Sequence, residues 1–450
     1  MLESKYSAPD LPLYDDASVP EDDAAWQAPF AVRAVDATLQ LPGSKSLTNR
    51  ELILSAVASG PSVLRRPLHS RDSDAMVQAL RSLGVDVGER EGSSPFGPDL
   101  VVTPPDELLG STTIDCDQAG TVMRFAPPLA ALALGPTAFD ADPTARTRPM
   151  SALIGALRAL GADIADDGSG RLPFTVHGTG ALRGGPVAID ASSSSQFVSA
   201  LLLAGARFEE GVRVTHTGER LPSLPHIEMT ATALAERGVR VDSPEPGVWQ
   251  VAHQEIAGRD VVIEPDLSNA APFLAAAVAT GGTVRITDWP EQTTQVGAQL
   301  RELLPRFGAS VALADGVLTV TGPESISGVE LDLSEAGELA PPLVALAALA
   351  NGPSSFRGIG HIRHHETDRI AALVAEINRL GGDAVETQDG IDVTPAPLHG
   401  GEWHSYHDHR MATAGAIIGL RVDGVTVENI ATTSKTLPQF TELWQRMLEA

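Results

Sequence analysis

The stretch ALRSLGVDV (residues 79–87) decides the fold, because four variants of it recur along the chain. Each variant combines the last turns of a helix, a glycine and a short β-type run. The copies are ALRALGADI (156–164), ALAERGVRV (233–241), LLPRFGASV (303–311) and EINRLGGDAV (376–385). Glycine favours the end of a helix, and the β-branched residues after it favour a strand. With PQFTELWQRMLEA (438–450) as a sixth helix of this kind, the pattern predicts six repeats of about 70 to 77 residues.

A second type of helix is interleaved with the first. These segments begin with polar residues and continue as apolar runs, as in SKSLTNRELILSAVASG (44–60) and SNAAPFLAAAVATGG (268–282). Their starts are marked by Ser46, Gly120, Ser195, Ser268, Gly337 and Asp408. Helices that are apolar on all sides are typical of a protein interior, whereas the ALRSLG helices are amphipathic. We therefore predict that the apolar helices are buried and that the ALRSLG helices face solvent.

These repeats predict an α/β fold of two domains with three units each, because 450 residues exceed a single ordinary core. A solenoid is the alternative, but the units are longer than common solenoid repeats and lack a leucine ladder. We assign residues 44–258 to the first domain, and residues 29–43 plus 259–450 to the second. Residues 1–28 are acidic and lack an apolar core, which predicts a disordered extension.

Composition narrows the function. The net charge of −26 argues against nucleic acid or an anionic membrane as a partner. No apolar run approaches the roughly 20 residues of a membrane-spanning helix. The single cysteine, Cys116, cannot form an intrachain disulfide and is expected to be a small buried hydrophobe. These features predict a cytoplasmic protein.

Lysine is scarce in this chain. Only Lys5, Lys45 and Lys435 occur among 32 basic residues, the others being arginine. A coding bias accounts for the scarcity, but not for two lysines beside apolar helices in polar segments. In LPGSKSLTNR (41–50), serine precedes Lys45, so the segment is not the phosphate loop of nucleotide hydrolases. Because ammonium and guanidinium groups are not interchangeable at a tight site, Lys45 and Lys435 are candidate anion ligands.

The polar helix starts predict an anion site. Helix N-termini carry unpaired N–H groups and partial positive charge, which stabilise bound anions. Similar units bring several such N-termini together between the two domains. Any single serine at a helix start is more often a cap than a ligand, so the prediction depends on the set.

The chain resembles the 5-enolpyruvylshikimate-3-phosphate synthase family from about residue 38 to 447. The motifs LPGSKSLTNR, AGTVMRF, SSSQF, RHHETDR, DHRMA and SKTLP occur in the family's order and spacing. The resemblance implies the two-domain enolpyruvyl-transferase fold, with six β-α-β-α-β-β units, three per domain, around buried helices. It also implies transfer of the enolpyruvyl group of phosphoenolpyruvate to the 5-hydroxyl of shikimate 3-phosphate, with release of phosphate, in aromatic amino-acid synthesis.

The resemblance also implies the ligand-binding residues. Those matching the shikimate 3-phosphate site are Lys45, Ser46, Arg50, Ser194, Ser195, Gln196 and Ser223. Those matching the phosphoenolpyruvate site are Lys45, Gly120, Arg148, Arg369, Arg410 and Lys435. Guanidinium groups suit this role because they bind carboxylates and phosphates with two hydrogen bonds.

The reaction needs a base for the 5-hydroxyl proton and an acid for the enol methylene. By resemblance, Glu338 is the base, and Glu366 is the proton donor with Lys435 as its rival. The resemblance also implies that Lys45 is a catalytic residue in contact with both substrates. His365 stands where lysine is frequent in the family, which implies that it binds substrate by hydrogen bonding to a hydroxyl, and its charge is expected to titrate near neutrality. Gln118 and Phe125 replace the common Asn and Pro, which affects the shape of the phosphoenolpyruvate pocket rather than the chemistry.

We expect no metal and no cofactor, because the closely spaced histidines of HIRHHE (361–366) lack the companions of a zinc site. A monomer is expected. The alternatives are a UDP-N-acetylglucosamine enolpyruvyl transferase and a non-catalytic anion-binding scaffold. Against the first, Ser46 follows Lys45 where Asn is typical, and Cys116 does not lie on an equivalent loop. An RNA-end-processing protein is disfavoured by the acidic charge.

Overall fold

The computed structural model describes residues 25–450, in which helices and short strands alternate. The helices are α1 (Lys45–Ala56), α2 (Arg71–Ser82), α3 (Gly120–Ala130), α4 (Ser151–Ala159), α5 (Gln196–Gly205), α6 (Pro225–Ala235), α7 (Ala271–Thr280), α8 (Leu300–Leu303), α9 (Ala340–Ala348), α10 (Arg369–Arg379), α11 (His409–Gly419) and α12 (Phe440–Glu449). The strands are β1 (Trp26–Gln27), β2 (Asp36–Leu39), β3 (Ser62–Arg65), β4 (Asp86–Arg90), β5 (Asp99–Thr103), β6 (Thr112–Asp115), β7 (Leu134–Asp140), β8 (Asp163–Ala165), β9 (Phe174–Thr179), β10 (Gly185–Ile189), β11 (Val212–His216), β12 (Val241–Asp242), β13 (Val248–Val251), β14 (Asp260–Val262), β15 (Thr283–Ile286), β16 (Ser310–Ala314), β17 (Val317–Thr321), β18 (Glu330–Asp332), β19 (Ser354–Arg357), β20 (Asp383–Glu386), β21 (Ile391–Thr394), β22 (Gly401–Trp403) and β23 (Val425–Val427).

The strands form six small sheets, one for each predicted unit. In the sheet β6-β7-β9-β8, β6 and β7 are parallel, and β9 is antiparallel to both β7 and β8. With α3 and α4 between the strands, the order is β-α-β-α-β-β, as predicted. The ALRSLG glycines end their helices with positive φ angles, +88° at Gly84 and +111° at Gly161, where a side chain is strained. The α/β fold class and the six units are therefore confirmed.

The chain passes between the two halves twice. The strand before each passage, β2 or β14, pairs within the half that the chain is about to leave. β2 pairs in parallel with β15 of the second half, and β14 pairs in parallel with β3 of the first half. Between these strands the two crossing segments touch, because Gly43 bridges Pro265 and the Ser44 N–H donates to the Glu264 carbonyl at 2.8 Å. The predicted boundary put residues from 259 onward in the second domain. The structure instead keeps β14 in a sheet of the first half, because Val261 and Ile263 pack in that half's core.

The sixth unit is completed by the N-terminal segment. In the described part of the chain its sheet has three strands, in the order β1-β23-β22. Strand β1 pairs antiparallel with β23, and Ala28 is buried at 4% exposure. The prediction of a disordered extension over residues 1–28 is therefore wrong for residues 26–28, because strand pairing and burial order them. Residues 1–24 lie outside the described part of the chain.

Each half has a core of its own, formed around the apolar helices. All ten residues of α7 are buried, and so are all nine of α9. In α10, by contrast, buried and exposed positions alternate around the helix. The predicted division into buried apolar helices and half-exposed amphipathic helices is confirmed. The LLPRFG copy departs from the other amphipathic helices, because it contains the short α8 and a 3₁₀ turn with Pro305 at its start.

Cys116 is fully buried, and burial raises the pKa of its thiol, as suits a structural hydrophobe. Over residues 25–450, none of the helices has both the length and the apolar character needed to cross a membrane. The monomeric state and the cytoplasmic location stay predictions.

Candidate active site

A polar cavity lies between the two halves, where the predicted helix starts converge. It is lined by the first turns of α1, α3, α5 and α11, by the 3₁₀ turn before α9 and by the segment before α7. Because helix N-termini carry partial positive charge, their convergence favours an anionic ligand. The helix starts predicted from the repeats therefore meet at one site.

Lys45 is the first residue of α1 and is already engaged with carboxylates. Its ammonium lies 3.0 Å from Oδ2 of Asp72, whose side chain is 1% exposed. Its backbone N–H donates to Asp266 at 3.1 Å, and Ser44 caps the helix. The other oxygen of Asp72 has no hydrogen-bond partner among the described atoms. Lys45 is thus held at the cavity wall, with part of its hydrogen-bonding capacity still directed at the space between the halves.

Arg50 was predicted to bind substrate, but it lies behind the cavity wall. Its guanidinium is 1% exposed and donates to Thr230 at 2.8 Å, to the Ser46 carbonyl at 2.9 Å and to the His226 carbonyl at 2.9 Å. Burial lowers its pKa to about 9, partly offset by Glu338. In this arrangement Arg50 contributes to the site by holding the backbone around it. Its role as a direct ligand stays a prediction.

Two arginines meet at the start of α3. Arg124 donates to Oε1 of Gln196 at 2.8 Å, and Arg148 donates to the Gln118 carbonyl at 2.9 Å. Burial and the neighbouring Arg148 lower the pKa of Arg124 to about 10, and its Nε has no partner among the described atoms. Two buried guanidinium groups with spare donors form a strong anion site. Gly120 adjoins them, and a Cβ there would lie 2.8 Å from Arg124.

The serine segment before α5 lines the opposite wall with side chains and backbone N–H groups. Ser194, Ser195 and Gln196 all border the cavity, as predicted. The Ser194 hydroxyl accepts from the Gln196 N–H at 3.3 Å, which is a capping contact. Ser223 also borders the cavity and has a φ of +53°, an unfavourable conformation for a side chain. These residues provide hydroxyl donors suited to a phosphate group.

Glu338 lies at the base of the cavity among three partners. Ser268 donates to Oε1, while Oε2 is 3.5 Å from Nε2 of His226 and 3.8 Å from Arg410. Burial alone raises the pKa of such a carboxyl, but these partners outweigh it and hold the pKa of Glu338 well below its usual range. The carboxylate is therefore ionised and able to accept a proton from a ligand.

Glu366 and Lys435 form the second acid–base pair. The Lys435 ammonium is fully buried and donates to Glu366 at 3.0 Å, and Arg369 donates to the other Glu366 oxygen at 2.7 Å. Burial opposes ionisation of Glu366, but Lys435 and Arg369 hold its pKa well below the usual range. Lys435 does not itself border the cavity, whereas Glu366 does. Glu366 thus separates the ammonium from the space where a ligand binds.

Arg369 organises this pair rather than offering free donors. It donates to both oxygens of Asp408, at 2.7 and 3.2 Å, and its Nη1 is 3.0 Å from Nδ1 of His365. Asp408 in turn caps α11 through the Arg410 N–H. Arg369 is 2% exposed, and Asp408 and Glu366 raise its pKa against the effect of burial. The predicted ligand Arg410 is therefore placed by a buried ion pair whose carboxylate, Asp408, lies two residues before it.

Burial keeps three of the cavity histidines, His361, His365 and His409, uncharged. Burial lowers the pKa of His361 to about 4. Burial and Arg369 hold the pKa of His365 well below its usual value, and burial does the same for His409. The expectation that His365 titrates near neutrality is wrong, because the sequence does not show its burial against Arg369. Both ring nitrogens of His409 lack partners among the described atoms.

Sequence reasoning missed several residues that line the cavity. The omitted residues include Asp72, His226, Asp266 and Gln295. Asp72 follows a helix N-cap, where acids are common for local reasons, so the pattern carried no signal. Ser268, by contrast, was marked as a helix start, and the repeat alone places it beside the others.

Solved structures with the same fold define the class of protein. An EPSP synthase of Acinetobacter baumannii superposes with a TM-score of 0.76 at 25% identity, covering 94% of this chain and 97% of its own. The enolpyruvyl transferase NikO of Streptomyces tendae superposes with a TM-score of 0.71, covering 93% of this chain and 96% of its own, and at 18% identity it supports the fold alone. The chain therefore has the two-domain enolpyruvyl-transferase fold.

Sequence comparison narrows the class to one family. The family model described as EPSP synthase (3-phosphoshikimate 1-carboxyvinyltransferase) matches residues 31–444. A 3-phosphoshikimate 1-carboxyvinyltransferase of Kocuria rhizophila is 56% identical over 431 residues, covering 95% of this chain and 97% of the relative. The chain belongs to the EPSP synthase family.

Proposed function

We propose that this protein transfers the enolpyruvyl group of phosphoenolpyruvate to the 5-hydroxyl of shikimate 3-phosphate and releases phosphate. The observation that carries the proposal is the pairing of two ionised carboxylates, Glu338 and Glu366, with buried cations in one cleft. Such a site accepts and returns protons beside an anionic ligand. The identity of the two substrates is inferred from membership of the EPSP synthase family.

Ligand capture uses the cations and hydroxyls of the cavity wall. Arg124 and Arg148 have the spare donors that suit the phosphate or carboxylate of phosphoenolpyruvate. The hydroxyls of Ser194 and Ser195, near the N-terminus of α5, suit the phosphate of shikimate 3-phosphate. Lys45 is the first residue of α1, and its ammonium group contacts both anionic substrates. Each contact replaces part of the hydration that the ligands lose in the cleft.

The first step is attack of the 5-hydroxyl on the enol carbon of phosphoenolpyruvate. The Glu338 carboxylate accepts the hydroxyl proton, and its contacts with Ser268 and Arg410 hold it in the ionised state that this requires. As the carbon–oxygen bond forms, the enol methylene takes up a proton and becomes a methyl group. The product is a tetrahedral ketal that still carries phosphate.

The proton for the methylene comes from the Glu366–Lys435 pair. An ionised Glu366 has no proton to give, whereas the Lys435 ammonium has one and lies 3.0 Å away. Glu366 borders the cavity and Lys435 does not, so the proton moves from Lys435 through Glu366 to the carbon. In the second step the ketal loses phosphate and its methyl group returns a proton to the same pair. The enolpyruvyl double bond is restored, and Glu338 gives the proton that it took from the 5-hydroxyl to solvent, so both carboxylates end ionised.

Phosphate release from phosphoenolpyruvate tests the proposal. We expect release with shikimate 3-phosphate and none with UDP-N-acetylglucosamine or with no acceptor. The matched variant Glu338→Gln keeps the shape of the side chain and removes the base, so it distinguishes the enzyme from contaminating phosphatase. Release with UDP-N-acetylglucosamine alone assigns the sister activity instead. No release with either acceptor, together with binding of both anions, describes the non-catalytic scaffold.

A further inference from the structure

A histidine of the first half reaches across the cleft to the carboxylate of the second half. Nε2 of His226 lies 3.5 Å from Oε2 of Glu338, and their side chains are 12% and 20% exposed. The other oxygen of Glu338 is occupied by Ser268. The carboxylate is thus held from both sides of the cleft, by Ser268 at one oxygen and by His226 and Arg410 at the other.

The backbone of His226 is fixed by a buried network. Its carbonyl accepts from Arg50 at 2.9 Å, from Thr230 at 3.0 Å and from Ser199 at 3.3 Å. All three donors are buried. Burying the Arg50 guanidinium costs free energy of desolvation, which its hydrogen bonds offset. Three buried donors on one carbonyl fix the backbone of the second residue of α6, and from that position the imidazole extends to Oε2 of Glu338.

We propose that His226 is a positioning residue that holds the Glu338 carboxylate in the orientation in which it accepts the substrate proton. This proposal rests on the proposed function, because it assigns His226 a part in that reaction. His226 neither gains nor loses a proton, since the proton of the 5-hydroxyl goes to Glu338 and returns to solvent after turnover. The contact also favours the ionised carboxylate, because a hydrogen bond from His226 lowers the pKa of Glu338 against the effect of burial.

Other groups around Glu338 bear on its protonation and must be kept constant. The ionisable ones that face it are Arg410, Arg50, Arg369, Asp266 and His361. Arg410 lies on α11, an element separate from the α6 helix that carries His226. His361 is uncharged above about pH 4 and contributes no charge in the working range. The effect of changing His226 on Glu338 is therefore separable from theirs.

The first test compares His226→Phe with His226→Gln. Phenylalanine keeps a flat ring and removes the donor, whereas glutamine keeps a donor. We expect His226→Phe to lower kcat about 10- to 100-fold with a smaller change in KM for shikimate 3-phosphate, because misplacement of the base affects turnover more than binding. We expect the acidic limb of its kcat profile to move up by about one pH unit, and His226→Gln to restore part of both. The control is His177→Phe, an exposed histidine in β9 of the same half.

The second test does not depend on turnover. Carbon-13 NMR of protein labelled at the glutamate carboxyl carbons follows the Glu338 signal, identified by its loss in Glu338→Gln. Its titration midpoint should rise by about one pH unit in His226→Phe and stay unchanged in His177→Phe. An unmoved midpoint overturns the proposal whatever the acceptor substrate is. Loss of shikimate 3-phosphate binding with an unchanged pH limb also overturns it, because His226 is then a substrate ligand.

Discussion

Replacing Lys45 by arginine keeps the charge and changes its shape, which makes it the most direct test of the cavity. The ammonium lies 3.0 Å from a buried carboxylate, Asp72, and its side chain is only 20% exposed. A guanidinium group is planar and bulkier, so it cannot keep this contact and also reach an anion between the halves. Loss of one charge-assisted hydrogen bond costs about 1.5–3 kcal/mol, which corresponds to roughly a 10- to 160-fold drop in kcat/KM.

The assay is steady-state phosphate release with each substrate varied in turn. We expect Lys45→Arg to be nearly as damaging as Lys45→Ala. The matched control is Lys5→Arg, the same exchange in the N-terminal segment, which should leave the kinetics unchanged. Thermal unfolding of all three variants shows whether a loss reflects folding. A fully active Lys45→Arg enzyme refutes the reasoning, because the lysine then only decorates the helix start.

Three further outcomes follow from the contacts. Glu338→Gln should keep shikimate 3-phosphate binding, measured by calorimetry, and lose about 10²- to 10⁴-fold in kcat; near-normal turnover removes Glu338 from the base role. Arg237→Met should lower the free energy of unfolding, measured in urea, by about 3–5 kcal/mol. The reason is that Arg237 lies 2.7 Å from the buried Glu51, which the variant leaves without its cation. A decrease below about 1 kcal/mol contradicts this. His361 has a pKa of about 4 in the folded protein, against 6.5 in the unfolded chain. Between pH 6.5 and pH 4 the unfolded chain therefore binds a proton at His361 that the folded protein does not. The free energy of unfolding should decrease across this range by about 1.4 kcal/mol for each unit by which the pH falls. His361→Asn should reduce that slope, and an equal slope in both proteins excludes the effect.

Local sequence predicts much of the architecture, because the repeat period places the starts of the apolar helices at the cleft. It does not predict which side chains of a helix face the cavity. Arg50 follows Lys45 by five residues, which is about 140° around the helix beyond one full turn, so the two side chains leave in different directions. Lys45 borders the cavity, and Arg50 is buried against α6.

Contacts over long sequence distances were also beyond local patterns. Strand β14 has three residues, too few for a periodic signal to show that it pairs with β3 almost 200 positions earlier. His226 carries no mark of its role, because a histidine after a proline at a helix start is ordinary. Only the packing of α6 against α1 brings it opposite Glu338. The neutral state of His365 likewise depends on burial that the sequence does not record.

The exchanged strands β2 and β14 limit how early each half can complete its sheets during synthesis on the ribosome. Strand β2 is synthesised among the first residues, yet its partner β15 follows roughly 250 residues later, which at about 5–20 residues per second is a wait of roughly 12–50 s. The first half likewise cannot finish its sheet until β14 leaves the exit tunnel, by which time more than half of the polypeptide exists. A nascent chain halted at residue 258 would therefore carry one unpaired strand, β2, and one open sheet edge, at β3. Those two strands are where a chaperone would first be needed.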